Sequence, residues 1–289
     1  MTSKLQHFAI AGRFQRYGPM IRLSHHATRV LAGCFPKAIP LVHVLGYPKS
    51  GTTWVCRLVA DYLQLPHPQL SIFPIGFPAI MHGHQTVSKK RPHSVYVVRD
   101  GRDVMVSYYF FMTRNLGQNA NTRAERKRSR FFPPNADRND IRANLPHFIK
   151  AHMTQPIASR INWPNHVQSY LRAGLSDIPL LRYEALLEDG QSALAKAMST
   201  LTGEPADEDS IADALARHAF QKQKRKDKHV TEDKQADSPL RKGVHGDWKN
   251  HFTQEAAEVF HTYAGETLIQ LGYETSSEWV SNCPSECLH

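Results

Sequence analysis

Two glycines bracket the most chemically pointed stretch of the chain, Gly46-Tyr-Pro-Lys-Ser-Gly51-Thr-Thr-Trp54, which joins a short apolar run to a segment of helical periodicity. Backbone N–H groups in such a loop, aided by the positive end of the following helix, form a cradle for phosphate. The glycines have the spacing of the pattern G-x-x-x-x-G-K-[ST], but position 52 is Thr and the lysine sits earlier, at Lys49. An ammonium on the loop itself can reach the bridging oxygen between a phosphate and a departing group. A second stretch, Val95-Tyr-Val-Val-Arg99-Asp-Gly-Arg-Asp-Val-Met-Val-Ser107, sets an arginine at a strand end and a serine inside the next helix. The two can converge on one anion if the chain turns at Gly101; a salt-bridged turn would give the same letters. A third, Arg241-Lys242-Gly243-Val-His-Gly-Asp-Trp248, puts two cations beside a flexible glycine that can wrap a phosphate.

The elements that must position these residues read as alternating strands and helices. Leu41–Gly46 (LVHVLG) and Ser94–Val98 (SVYVV) are buried strands, and Ile178–Arg182 is a third. Val55, Leu58, Val59, Tyr62 and Leu63 recur at helical spacing until Pro66; Asp103–Met112 and Glu184–Leu201 are further helical segments. Alternation of this kind implies an α/β fold, a central mostly parallel sheet covered on both faces in three layers, α/β/α, with ligands beyond the carboxyl ends of the strands. One domain over 41–271 is expected, with a basic N-terminal extension over 1–40, a polar insertion at about 114–162 at the rim of the site, and a C-terminal tail over 272–289.

Lys and Arg outnumber Asp and Glu by 36 to 26, a net charge of +10, so the surface attracts anions without choosing among them. Dense basic runs lie at 114–130 and 222–228. The four cysteines, Cys34, Cys56, Cys283 and Cys287, are too few and too irregular for a disulfide scaffold, which fits a reducing, cytoplasmic setting, and no metal site is expected. No stretch approaches the roughly 18 apolar residues needed to span a bilayer, and residues 1–40 lack the apolar core of a signal peptide; being basic, they allow peripheral membrane contact, a packed extension being the plainer reading.

The stretch YPKSGTTW resembles, nearly residue for residue, the 5′-phosphosulfate-binding loop of the cytosolic sulfotransferase family, whose fold is P-loop NTPase-like. The resemblance covers roughly residues 41–113 and 163–271. It implies sulfuryl transfer from 3′-phosphoadenosine 5′-phosphosulfate (PAPS), released as PAP, to a hydroxyl or amine, with no metal. By the same resemblance Lys49 contacts the 5′-phosphate and the scissile bridge, Ser50, Gly51, Thr52 and Thr53 belong to the cradle, and Trp54 packs on the adenine. Arg99 and Ser107 match the family's 3′-phosphate motif, and Arg241, Lys242 and Gly243 its C-terminal RKGxxGDWK segment. Tyr183 falls near the nucleotide base and Phe220 at the site of an adenine-stacking phenylalanine; for either aromatic alone, core packing is the default.

A histidine suits the removal of the acceptor's proton. In Met81-His82-Gly83-His84-Gln85, His84 matches the family's base and His82 stands where a lysine is usual, leaving His82 as the alternative base. The segment from Lys249 through Gln254 to Glu258 is similar to the family's dimerisation segment, with Gln254 in place of an apolar valine, which implies a monomer or a weak homodimer. Two other classes fit less: a P-loop nucleotide kinase or NTPase, for which no Lys-Ser/Thr pair follows Gly51, and a non-catalytic polyanion-binding protein, which has no need of the ordered set Lys49, Arg99, Ser107 and Arg241. Nucleic acid is not an expected partner. The acceptor is open; the arginines and asparagines of 114–162 lean towards a polar, carbohydrate-like metabolite, while Phe110, Phe111, Phe131 and Phe132 argue for an apolar pocket or for core.

Overall fold

The computed structural model describes residues 19–20, 23–35, 39–68, 77–88, 93–113, 129–156, 159–219 and 244–285. Four parallel strands, β1 (Leu41–Gly46), β2 (Ala79–Gly83), β3 (Ser94–Val98) and β4 (Leu180–Arg182), lie in the order β2-β1-β3-β4. Leu45 is opposite Gly83 on one side and Tyr96 on the other, and Val97 is opposite Leu181. From β1 the chain goes outward to β2 and returns to β3, so the switch point lies beyond the carboxyl ends of β1 and β3, where a parallel sheet opens a crevice.

Alternation along β1 and β3 divides the core in two. Val44, Val95 and Val97 face helices α2 (Thr52–Leu63), α7 (Gly190–Thr202) and α8 (Glu208–Arg217). Leu45, Tyr96 and Val98 face α3 (Gly101–Thr113), α4 (Ile141–Thr154), α5 (Trp163–Ala173) and α9 (Gln254–Gln270). The short helix α6 (Tyr183–Glu188) leaves β4 directly. This is the three-layer arrangement expected. Helix starts are chemically marked: Asp140, Asn162, Asp189, Asp207 and Thr253 each accept a backbone N–H three residues on, satisfying a donor the helix itself leaves unpaired.

Three segments outside the central elements also pack against the core. Within the tract at 114–162, Phe131 and Phe132 are buried, and α4 sinks Leu145, Phe148, Ile149 and Met153 into the core, so its second half is structural rather than a polar insertion. Within the extension at 1–40, helix α1 (residues 23–34) buries Ala32 against Leu41, Ala79 and Met81 at the β2 edge. Within the tail at 272–289, Trp279 and Cys283 are buried, Pro284 O accepts Gln254 N–H at 2.8 Å, and Glu274 pairs with Arg102. Residues 114–128 and 222–228, which hold most of the two basic runs, lie outside the described residues, as does Cys287.

Candidate functional site

The loop after β1 twists twice into the left-handed region, at Lys49 (φ 74°) and at Gly51 (φ 88°), the latter capping α2. Two such residues flank Ser50, the kind of backbone alternation that forms an anion-binding concavity, with the Ser50 N–H itself given to Tyr47 O at 3.1 Å. Gly51 is needed twice over, because a Cβ there would come within 2.5 Å of the Tyr183 ring. Gly46 has a similar reason: its Cβ would meet Val97 O at 2.6 Å. Ser50 is fully buried and its Oγ has no hydrogen-bond partner among the described residues. A buried hydroxyl without a partner costs about 1–3 kcal/mol, and a phosphoryl oxygen seated in the loop would satisfy it. The Lys49 ammonium lies 4.6 Å from the centroid of the Phe111 ring.

Arg99, just past β3, ties the loop to the other candidate residues. Its guanidinium donates to Lys49 O (3.4 Å) and Val244 O (3.2 Å), lies 4.6 Å over the Tyr183 ring, and leaves Nε without a partner among the described residues. Asp103, in the first turn of α3, accepts Gly246 N–H at 2.8 Å on Oδ2 and Trp248 N–H at 2.9 Å on Oδ1, with Arg99 3.6 Å away. One carboxylate thus hangs residues 246–248 from the start of α3. Burial pushes its pKa up, and Arg99 opposes that shift. Arg102 is paired with Asp100 and Glu274 and lies over the rings of Trp248 (3.8 Å) and Trp279 (4.7 Å), which meet nearly at right angles. The letters RDGRD therefore encode a salt-bridged turn as well as an arginine aimed at the crevice. Ser107, half-buried, is one helical turn beyond Asp103 on the same face of α3. Trp54 and Tyr183 meet edge to face at 5.8 Å, and Trp54 Nε1 donates to His218 O. Phe220, Arg241, Lys242 and Gly243 lie outside the described residues.

The third component comes from β2, an element the sequence reading missed. The β1–β2 pairing ends at Leu45 and Gly83; one residue on, the His84 side chain continues it, with Nδ1 2.8 Å from Gly46 O. A carbonyl only accepts, so Nδ1 carries the proton and Nε2 of the neutral ring carries the lone pair. Burial and the nearby Lys49 charge hold the His84 pKa below its ordinary value, while the Gly46 bond resists. The ring is neutral at pH 7, as a base must be. His82 has a different partner: its Nε2 is 2.8 Å from Thr52 Oγ1 on the phosphate loop, and its ring meets that of His84 edge to face at 4.6 Å. Burial, with His84, His67 and Arg29 nearby, depresses its pKa to about 3. These surroundings favour the neutral form of His82, at the position where the resemblance implies a lysine.

Lys49, the Ser50–Trp54 cradle, His82, His84, Arg99 and Tyr183 thus gather around one crevice at the carboxyl ends of β1 and β3. Asp103 was legible as part of an ion-pair pattern, whereas nothing in the letters linked His82 to Thr52. Among the described residues there is no group of three or more His, Cys, Asp or Glu side chains disposed to hold a metal ion.

Comparison with known proteins gives one consistent answer. The family model described as "Sulfotransferase domain" matches residues 77–272. Mouse Sulfotransferase 2B1 is 24% identical over 276 residues, covering 82% of this chain and 75% of that protein. Human Sulfotransferase 1E1 is 27% identical over 258 residues, covering 74% and 79%. Among solved structures, mouse sulfotransferase SULT7A1 complexed with PAP superposes with a TM-score of 0.56 at 18% identity, covering 84% of this chain and 88% of that one. Retinol dehydratase in complex with retinol and PAP gives 0.56 at 16% identity, covering 83% and 85%. The likeness to these structures is one of fold. The family model begins downstream of the loop Gly46–Trp54, so the loop's letters stand as a separate observation, and with more than half of the chain matched by that model, this chain belongs to the sulfotransferase family.

Proposed function

We propose that the enzyme transfers a sulfuryl group from PAPS to the hydroxyl or amine of a small acceptor, with His84 as general base and Lys49 stabilising the leaving phosphate oxygen. PAPS supplies the activated sulfuryl group and leaves as PAP. The observation that carries the reading is the fixed imidazole of His84 at the mouth of the phosphate loop, its Nδ1 bound to Gly46 O and Lys49 close enough to depress its pKa. His84 takes the acceptor's proton on Nε2, Lys49 holds negative charge at the bridging oxygen, and the loop N–H groups with Ser50 and Thr52 orient the phosphate. Arg99 and Ser107, with Arg241, Lys242 and Gly243, recognise the 3′-phosphate; Trp54, Tyr183 and Phe220 bound the base.

The acceptor class divides two supports. The carbohydrate-like reading rests on the tract at 114–162, whose first part is outside the described residues. Phe111, exposed beneath Lys49, together with relatives named 3-alpha-hydroxysteroid sulfotransferase and retinol dehydratase, supports an apolar alcohol. We extend the reading to a cytoplasmic enzyme, monomeric or weakly dimeric; free thiols at Cys34, Cys56 and Cys283 fit a reducing compartment.

The test is a PAPS-dependent screen of phenols, steroids, aliphatic alcohols and glycans, read as PAP release and product mass, with His84→Ala as the blank. Calorimetry with PAP alone runs beside it. Binding of PAP without magnesium and acceptor-dependent PAP release are expected. A preference for Mg-ATP over PAP, or polyanion binding with no PAP release, would replace this function with one of the other two classes.

A further inference from the structure

His84 lies past the last paired residue of β2, so its own carbonyl has no strand to bind. That carbonyl is taken by a histidine from the far side of the core. His166, in the first turn of α5 and fully buried, places Nε2 3.1 Å from His84 O and Nδ1 2.9 Å from the Tyr96 hydroxyl. The Tyr96 ring is stacked on that of His166 (5.7 Å, 20°) and is itself backed by Tyr170 (4.5 Å, 7°), while the Tyr47 ring meets His166 edge-on at 5.7 Å. Two rings and two hydrogen bonds thus set the orientation of the buried imidazole.

We propose that His166 is the positioning residue of the base: its Nε2–H holds the His84 carbonyl, and with it the turn that lets His84 Nδ1 reach Gly46 O. The inference rests on the reading of His84 as base. The bonds fix both tautomers. The His84 carbonyl accepts, so His166 Nε2 is protonated; a neutral His166 then accepts the Tyr96 O–H on Nδ1. Burial lowers the His166 pKa to about 4, which keeps it neutral beside His84, Tyr47, Tyr96 and Tyr170, with the Lys49 charge acting on His84. The contacts close a ring. His84 Nδ1 binds Gly46 O, Gly46 is joined to Tyr47, Tyr47 packs on His166, and His166 binds His84 O. The start of the phosphate loop and the base are therefore held in register by a side chain that touches neither nucleotide nor acceptor, a supporting contact of the kind that keeps reacting atoms within a fraction of an ångström.

Two near-isosteric variants separate positioning from packing. Glutamine at 166 carries an amide N–H at the place of Nε2 and can still hold the His84 carbonyl. Asparagine carries its amide at the place of Nδ1, so it keeps the Tyr96 contact and loses His84. With the best acceptor from the screen, His166→Gln should retain the rate within about threefold, and His166→Asn should lose about 10- to 100-fold, in keeping with the cost of a small misplacement of a reacting group. Both should bind PAP like the parent by calorimetry. Equal losses in the two variants, or loss of PAP affinity in parallel with rate, would overturn the proposal. A second measurement needs no variant to fold and no acceptor. In the parent protein, long-range 1H–15N correlation of labelled histidines should show His84 protonated at Nδ1 and His166 at Nε2; the opposite tautomer at either ring overturns it. Absence of PAP binding and of PAPS turnover in the parent would instead sink the functional reading, leaving the tautomers to report on the geometry alone.

Discussion

Replacing His152 by phenylalanine should change both the stability and its pH dependence. His152 in α4 is buried among Tyr108 (ring centroid 4.3 Å away), Phe148 (5.8 Å, parallel) and Phe131 (5.9 Å), and its Nε2 is 2.9 Å from the Tyr47 hydroxyl. Burial depresses its pKa to about 4. Unfolded, it titrates near 6.5, so between those values the unfolded chain binds the proton and the folded one does not. The contribution is therefore complete above about pH 6.5 and is lost as pH falls towards 4, with a slope of about 1.4 kcal/mol per unit. From pH 7 to pH 5 this single ring should cost the parent about 2 kcal/mol, a large part of a marginal total. In the His152→Phe variant that slope vanishes, while the Tyr47 hydroxyl is left unpaired at a cost of about 1–3 kcal/mol at every pH. Urea unfolding of parent and variant at pH 7, 6 and 5 measures the difference. The variant should be the less stable at pH 7, and the gap should narrow by about 2 kcal/mol at pH 5. A gap that stays constant across the series would refute the burial of a neutral imidazole at this position.

Other outcomes follow from the crevice. On the proposed role of Lys49 in stabilising the leaving oxygen, Lys49→Ala should cut turnover far more than PAP affinity; a parallel fall in both, by rate measurement and calorimetry, would contradict that role. Arg99→Ala should weaken PAP binding by roughly 1.5–3 kcal/mol while barely affecting a nucleotide lacking the 3′-phosphate, again read by calorimetry. Asp103→Asn leaves one oxygen for the Gly246 and Trp248 N–H groups that now share two, and should narrow the preference for PAP over its 3′-dephospho analogue by about tenfold through the loss of one charge-assisted bond. A weakly dimeric or monomeric mass at micromolar concentration by sedimentation is expected, since Gln254 spends its amide on Glu258 of its own helix; a tight dimer dissolved by Gln254→Ala would show the segment to be a strong interface.

The strands β1 and β3 were readable to the residue, because each is a short buried run, apolar and rich in β-branched residues but for His43 and Ser94. β2 was not, since Ala-Ile-Met-His-Gly has neither alternation nor a β-branched run and is a strand only because β1 offers its edge. Helix α4 was hidden for a related reason. Its inner face carries Asn144, Pro146 and His152 among the apolar residues, and a proline in mid-helix argues against the helix that packing nonetheless enforces. The phosphate loop was legible because its backbone demands glycines at fixed places. The buried contacts of His166 and His152 were not, because both sit on helices distant in sequence, and what they hold depends on which carbonyl or hydroxyl the fold brings to each ring nitrogen.

Position 49 puts two selective demands in conflict. A side chain in the left-handed region carries a backbone penalty on the order of 1–2 kcal/mol that glycine escapes. A screen that rewards thermal tolerance alone should therefore drift towards glycine there, and a screen that rewards sulfuryl transfer should refuse it. The lysine stands at a place where the main chain would prefer no side chain at all, so on its proposed role variants of this loop should gain robustness and lose chemistry in the same step.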